Sequence, residues 1–143
     1  ALGARSLLAD PRSSATRDRL NDVVKRREPF RPFAPAVRHE DFDGWLHGGP
    51  DAMTPFMTTV RTVRDPDALA AVTHVDGTAR AQSVAPDGGL LRAVLDAGPG
   101  VVLNTSLNGG GEPICGTGTD ALSFFVRHRV DALIVEDVEI TRP

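Results

Sequence analysis

Three prolines at positions 29, 32 and 35 follow directly on a run of cations, in Val24-Lys25-Arg26-Arg27-Glu28-Pro29-Phe30-Arg31-Pro32-Phe33-Ala34-Pro35. Each proline fixes its own φ and biases the residue before it away from the helical region, so the chain must leave any preceding helix by about Arg27 and run extended to Pro35. Lys25, the only lysine in the sequence, Arg26, Arg27 and Arg31 therefore sit at a helix end and on a stiff support. Cations in a last helical turn suit the helix dipole, and a solvated helix end is the plain reading of this cluster. A rigid array of basic side chains is also what holds an anionic ligand in one geometry.

The charge is unevenly spread. The chain carries a formal net charge of −3, which argues against general nucleic-acid binding. Residues 1–40 hold nine Lys/Arg against five Asp/Glu (+4), and residues 41–143 hold seven against fourteen (−7). Anion binding is thus expected in the first part. At 143 residues the chain suits one domain with a real core, and no apolar run is long enough for a membrane helix. The first residues carry no signal-peptide pattern, and the single cysteine, Cys115, excludes an internal disulfide and suits a reducing cytoplasm. Cys115 has no local histidine partner, so a buried, inert thiol is expected.

Hydrophobic periodicity and turn residues predict a mixture of helices and strands without strict alternation: one α/β domain with a twisted mixed sheet and flanking helices. A strand is expected over residues 5–9. A helix capped by Ser13 or Ser14 follows to about Arg26, with Leu20, Val23 and Val24 as its apolar stripe. Strands are expected at 34–38 and 56–63, with a short helix or turn at 40–47 in which Phe42, Trp45 and Leu46 pack. Residues 71–75 and 78–84 read as a hairpin around Asp76-Gly77. A helix is expected over 90–97, a buried strand over 101–103 and a polar loop over 104–111. A helix from Thr117 or Thr119 to His128 should turn Leu122, Phe125 and Val126 inward. Strands at 132–135 and 138–141 complete the list.

Two further segments offer chemistry. Val101-Val102-Leu103-Asn104-Thr105-Ser106-Leu107-Asn108-Gly109-Gly110-Gly111 is a buried strand running into hydroxyls, amides and three glycines, a composition that suits either an anion-binding nest or a polar turn. No Gly-Lys-Ser/Thr ending follows, so it is not a P-loop. Thr73-His74-Val75-Asp76-Gly77-Thr78-Ala79-Arg80 places Arg80 on a strand, where it either clamps an anion or is solvated. His74 reads as a structural hydrogen-bonder. The four histidines and Cys115 lack metal-ligand spacing, so no protein metal site is expected.

These segments, in this order, resemble the C-terminal domain of the O-carbamoyltransferases of antibiotic and nodulation-factor biosynthesis, a group that includes the tobramycin and cephamycin carbamoyltransferases. The similarity also runs through Leu2-Gly3-Ala4-Arg5-Ser6-Leu7-Leu8-Ala9-Asp10-Pro11-Arg12 and Gly111-Glu112-Pro113-Ile114, and covers almost the whole chain. The resemblance implies a fold like the YrdC-type threonylcarbamoyl-adenylate synthases over residues 1–143. Those proteins use a Lys-x-Arg pair and a Ser-x-Asn pair at their nucleotide site, matched here by Lys25 with Arg27 and by Ser106 with Asn108. It further implies formation of carbamoyl adenylate from ATP, with Mg²⁺ on the triphosphate, and carbamoyl phosphate. Lys25, Arg27, Arg80, Ser106 and Asn108 would serve the chemistry, and Arg31 and Thr105 would assist binding. A partner domain of actin-like ATPase fold, N-terminal in the full protein and absent from this chain, would pass the carbamoyl group to a substrate hydroxyl. The family's Gly-Pro-Arg ahead of Ala-Leu-Gly is missing, and Gly109-Gly110 replaces bulkier residues, from which a looser loop is expected. The alternatives are a nucleotide- or RNA-binding module without the chemistry, or an inactive gene fragment.

Overall fold

A computed structural model describes residues 2–142. Its centre is β6 (Val101–Ser106), which lies between β1 (Ser6–Ala9) and β2 (Ala34–Arg38), antiparallel to both. Parallel to β2 runs β5 (Gln82–Val84), giving a four-stranded mixed sheet in the order β1-β6-β2-β5. Two small antiparallel ribbons lie outside it: β3 (Val60–Thr62) with β4 (Thr78–Arg80), and β7 (Ala132–Val135) with β8 (Val138–Thr141).

Side chains alternate across β6, and this alternation divides the interior in two. Val101 and Leu103 point into the larger core, where they meet Leu20, Val24, Phe42, Leu46, Phe124 and Phe125. Val102 points the other way, toward Ala36, Val84, Leu91 and Leu95. Helix α3 (Gly89–Ala97), whose Leu91 and Leu95 are one turn apart, therefore covers one face. On the other lie α2 (Phe42–Trp45), α4 (Gly118–Arg127) and Leu20 and Val24, which follow helix α1 (Ser14–Arg19).

The helix starts follow their capping residues. Ser13 Oγ accepts the Ala15 N–H at the head of α1. Thr117 and Asp120 form a reciprocal capping box at the head of α4, satisfying two otherwise orphaned N–H groups. The far end of α4 is closed by Arg142, which donates to the carbonyls of Phe125, Val126 and His128 and stacks its guanidinium 4.8 Å from the Phe125 ring.

The mixed α/β architecture is the one expected, with several local differences. The helix beginning at Ser14 does not continue as α-helix to Arg26. After Arg19 it widens into a π-helical turn over Leu20–Lys25 and stops at Arg26 in the left-handed region, φ 46°. The wider turn brings Leu20, Asn21, Val24 and Lys25 inward and leaves Val23, expected in the apolar stripe, 41% exposed. On α4 the inward residues are Ala121, Phe124 and Phe125, whereas Leu122 and Val126 face solvent.

The strand expected over 56–63 is shorter, because Thr54–Phe56 forms a 3₁₀ turn ahead of β3. Residues 71–75 are not a strand. Asp76-Gly77 does turn the chain, but Ala71 and Val72 are drawn into the core beside Leu69, and β4 pairs with β3 instead. The strand expected over 78–84 is broken at the buried Ala81 into β4 and β5, which belong to different sheets. Among the described residues, no helix is long and apolar enough to cross a membrane.

Leu103 is fully buried in the central strand. Leu103→Ala is expected to lower the unfolding free energy by about 2–5 kcal/mol, read from the denaturant midpoint at unchanged slope.

Candidate functional site

The π-helical turn and the end of β6 converge on one another. Lys25 leaves that turn and reaches across to the loop after β6. Its Nζ donates to the Ser106 carbonyl at 2.7 Å and to Asn108 Oδ1 at 2.8 Å. The Asn108 carbonyl at 3.1 Å and Ser106 Oγ at 3.2 Å complete a cage of four oxygens. The side chain is 7% exposed, and no carboxylate is paired with it among the described residues. Burial, and then the nearby Arg27 charge, pull its pKa from 10.5 down to about 8.

The loop that supplies the cage is itself fastened. Ser106 Oγ donates to Asn108 Oδ1 at 2.5 Å, and Asn108 Nδ2 donates to the Glu112 carbonyl at 2.7 Å. The Glu112 carboxylate accepts the Gly109 N–H at 3.2 Å and pairs with Arg127 on α4, which holds it below the ordinary carboxylate range.

The two glycines expected to loosen this loop do the opposite. Gly110 donates its N–H to the Val24 carbonyl at 3.0 Å, and a Cβ at Gly110 would come within 2.2 Å of the Lys25 carbonyl oxygen. At Gly109 a Cβ would lie 2.8 Å from both Glu112 Oε2 and His128 Nε2. The loop is flush against the π-helical turn because neither residue has a side chain. The same bonds correct the reading of these glycines as an anion nest, since the N–H groups of Gly109 and Gly110 are already engaged within the protein.

Outside this joint lies a polar cleft of about 370 Å³ lined by Lys25, Arg26, Arg27, Glu28, Arg31, Thr105, Ser106, Asn108 and Gly109 to Gly111. Six of the seven residues singled out in the sequence, Lys25, Arg27, Arg31, Thr105, Ser106 and Asn108, thus share one wall-to-wall space. Arg27 is stacked 4.4 Å from the Phe33 ring centre, and its Nε donates to Asn21 Oδ1 at 2.8 Å. Burial and then Arg31 lower its pKa. Arg31 is exposed and pairs with Glu28 at 2.9 Å.

The seventh residue, Arg80, is not part of the lining. It lies on β4 opposite Val60 in the outer ribbon, though its charge still acts weakly on Arg27. Asn104 is not a ligand group either. It is 2% exposed, and its Nδ2 donates to Gln82 Oε1 inside the sheet. His74 pairs with Asp76 in its turn. Cys115 is half-buried rather than buried, and burial and then Asp120 raise its pKa, which keeps it a thiol. A larger groove, about 560 Å³ and mostly apolar, runs beside β1 but gathers no comparable set of charges.

Sequence reasoning passed over Asn21, which is fully buried, and Glu112 as a fastener of the loop. An asparagine in mid-helix, four residues before a lysine, was the available signal, because asparagine disfavours helix interiors unless its side chain has work there.

By fold and charge this is an α/β domain with a cationic cleft at the carboxyl end of its central strand. The chain belongs to the carbamoyltransferase C-terminal family: the family model described as Carbamoyltransferase C-terminus matches residues 1–142. It is 43% identical over 145 residues to nodulation protein NolNO of Sinorhizobium fredii, an alignment covering 94% of this chain and 21% of that protein. Against nodulation protein NolO of Bradyrhizobium diazoefficiens it is 42% identical, covering 94% of this chain and 26% of the relative. Against the 3'-hydroxymethylcephem-O-carbamoyltransferase of Amycolatopsis lactamdurans the identity is 42%, covering 96% of this chain and 27% of the relative. The chain therefore spans only about a quarter of the length of these curated relatives.

Two measurements check the joint. Between about pH 8 and 10.5 the unfolded chain holds a proton on Lys25 that the folded chain lacks, so folding stability should rise with pH across that window. In urea titrations from pH 7 to 10, that rise should be present in the natural protein and missing in Lys25→Met. Gly110→Ala should cost about 1–3 kcal/mol by overpacking against the Lys25 carbonyl, seen as a lowered midpoint.

Proposed function

We propose that this chain is the carbamoyl-activating domain of a carbamoyltransferase: it binds ATP and carbamoyl phosphate in the cationic cleft and forms carbamoyl adenylate. The observation that carries the reading is the contact of Lys25 Nζ with both Ser106 and Asn108. The Lys-x-Arg and Ser-x-Asn pairs, 81 residues apart at Lys25 and Ser106, meet at one cleft. The resemblance to the YrdC-type threonylcarbamoyl-adenylate synthases, proposed here as the fold relationship, makes that meeting point a nucleotide site.

The donor set suits phosphates. Lys25, Arg26, Arg27 and Arg31 line the cleft with a single carboxylate, Glu28, which Arg31 already neutralises. An arginine presents paired N–H donors that match phosphate oxygens. Water first cleaves carbamoyl phosphate into carbamate and inorganic phosphate; a carbamate oxygen then attacks the α-phosphorus of ATP, forming the adenylate while pyrophosphate leaves. Negative charge then moves onto the leaving oxygens, where the fixed guanidinium groups would stabilise it. Thr105, Ser106 and Asn108 supply hydroxyl and amide groups to orient the small carbamoyl end.

Mg²⁺ would travel on the triphosphate, which neutralises part of its charge. Among the described residues the cleft carries no cluster of carboxylates, and magnesium in such sites keeps phosphate and water ligands. Delivery of the carbamoyl group to a hydroxyl of a natural-product acceptor is assigned to an N-terminal partner domain of actin-like ATPase fold, in keeping with the greater length of the relatives.

The deciding assay is exchange of labelled pyrophosphate into ATP, dependent on carbamoyl phosphate, with this chain alone and joined to its N-terminal domain. Exchange by the joined protein supports the reading. ATP binding without exchange by either would instead identify a nucleotide-binding module. In calorimetric titrations with ATP, Lys25→Ala should weaken binding by about one to two decades, equivalent to about 1.5–3 kcal/mol, because it removes a charge beside the cleft and the anchor of its Ser106–Asn108 wall. Arg80→Ala, outside the lining, should weaken it less.

A further inference from the structure

We infer that Asn21 is a positioning residue of the cleft: it fixes the plane of the Arg27 guanidinium and the Pro29–Arg31 turn, and so sets the affinity for phosphate. The inference rests on the reading of the cleft as a phosphate site.

Asn21 is fully buried inside the π-helical turn. Burying an amide there is unfavourable unless its polar atoms are satisfied. All of its side-chain bonds run toward the wall of the cleft, and none runs to the core. Oδ1 accepts from Arg27 Nε at 2.8 Å. Nδ2 donates to the Arg31 carbonyl at 3.1 Å and to the Pro29 carbonyl at 3.4 Å. Its backbone carbonyl also accepts the N–H groups of Arg26 and Arg27, closing the helix end. One residue thus holds the backbone at 26 and 27, the guanidinium of Arg27, and the stretch that carries Arg31.

The consequence for Arg27 is geometric. Nε is held by Asn21, one face of the guanidinium lies on Phe33, and Nη2 reaches the Pro32 carbonyl at 3.4 Å. Nη1 has no protein partner among the described residues. The group is therefore held in one plane with a donor edge left over, which lowers the ordering cost of gripping a phosphate oxygen. Without Asn21 the same charge would remain, but on a side chain free to sample other rotamers.

The test is a double-mutant cycle with inorganic pyrophosphate as the probe, measured by calorimetry on the natural chain, Asn21→Leu, Arg27→Ala and the double variant. Leucine approximates the buried volume and removes both polar functions. Asn21→Leu is expected to weaken pyrophosphate binding about tenfold, with only a small further loss, through the Pro29–Arg31 stretch, when added to Arg27→Ala. A full additional tenfold loss in the Arg27→Ala background, or undiminished binding by a folded Asn21→Leu chain, would overturn the inference.

A second readout does not need the ligand. The Arg27 Nε–H proton should exchange slowly with solvent in the natural protein. It should stay slow in Asn21→Asp, whose carboxylate still accepts, and become fast in Asn21→Leu or, if that variant does not fold, Asn21→Ala. Fast exchange in the natural protein overturns the inference. Failure of the natural protein to bind pyrophosphate or ATP overturns the reading of the cleft itself, whereas binding with an additive cycle removes only the role of Asn21.

Discussion

A buried ammonium with no carboxylate against it is costly to fold around, and the structure is arranged to meet that cost with neutral oxygens. Two backbone carbonyls, one hydroxyl and one amide oxygen surround Lys25 Nζ. To bring the side chain there, the first helix must widen by a π-helical turn. To bring the oxygens there, β6 must end at Ser106 and its loop must press against the helix, which the bare Cα of Gly110 permits. The positions of Arg26, Arg27 and the proline run follow from that junction, because they are the next residues along the chain.

The junction also fastens the loop after β6 despite its three successive glycines. Its polar groups are spent on itself and on the elements behind it: Asn108 on Glu112, Gly109 on the Glu112 carboxylate, Gly110 on Val24. Glu112 in turn is tied to α4 through Arg127. The cleft thus stands on the central strand, the first helix and the last helix together. A site held by regular elements keeps its geometry better than one carried on a free loop.

Much of this was legible in the sequence because it rests on local chemistry. Ser13 or Ser14 and Thr117 or Thr119 marked helix starts, the apolar run Val101-Val102-Leu103 marked a buried strand, and the order of the motifs marked the family. Lys25, Arg27, Arg31, Thr105, Ser106 and Asn108 lay in segments that residue type singled out, and the family resemblance paired Lys25 with Arg27 and Ser106 with Asn108. What escaped was set by tertiary contacts. No rule of 3.6-residue periodicity places Val23 outside and Asn21 inside, because the periodicity itself changes at Leu20. The hairpin expected across Asp76-Gly77 does not form because Ala71 and Val72 are buried in the core and β4 pairs with β3. Arg80 stood on a strand as expected, but its strand belongs to the outer ribbon and not to the sheet beneath the cleft.

The sequence has sixteen lysines and arginines, and Lys25 is the only lysine. Guanidinium groups stay protonated and are poor nucleophiles, while a lysine amine near its pKa reacts readily with acylating and carbamoylating reagents. For a domain proposed to handle an activated carbamoyl group, every side-chain cation but one is thereby inert toward its own cargo. The exception has a pKa near 8 but is sealed among four oxygens with 7% of its surface exposed. The chain carries its positive field almost free of side-chain amines that a stray carbamoyl group would modify.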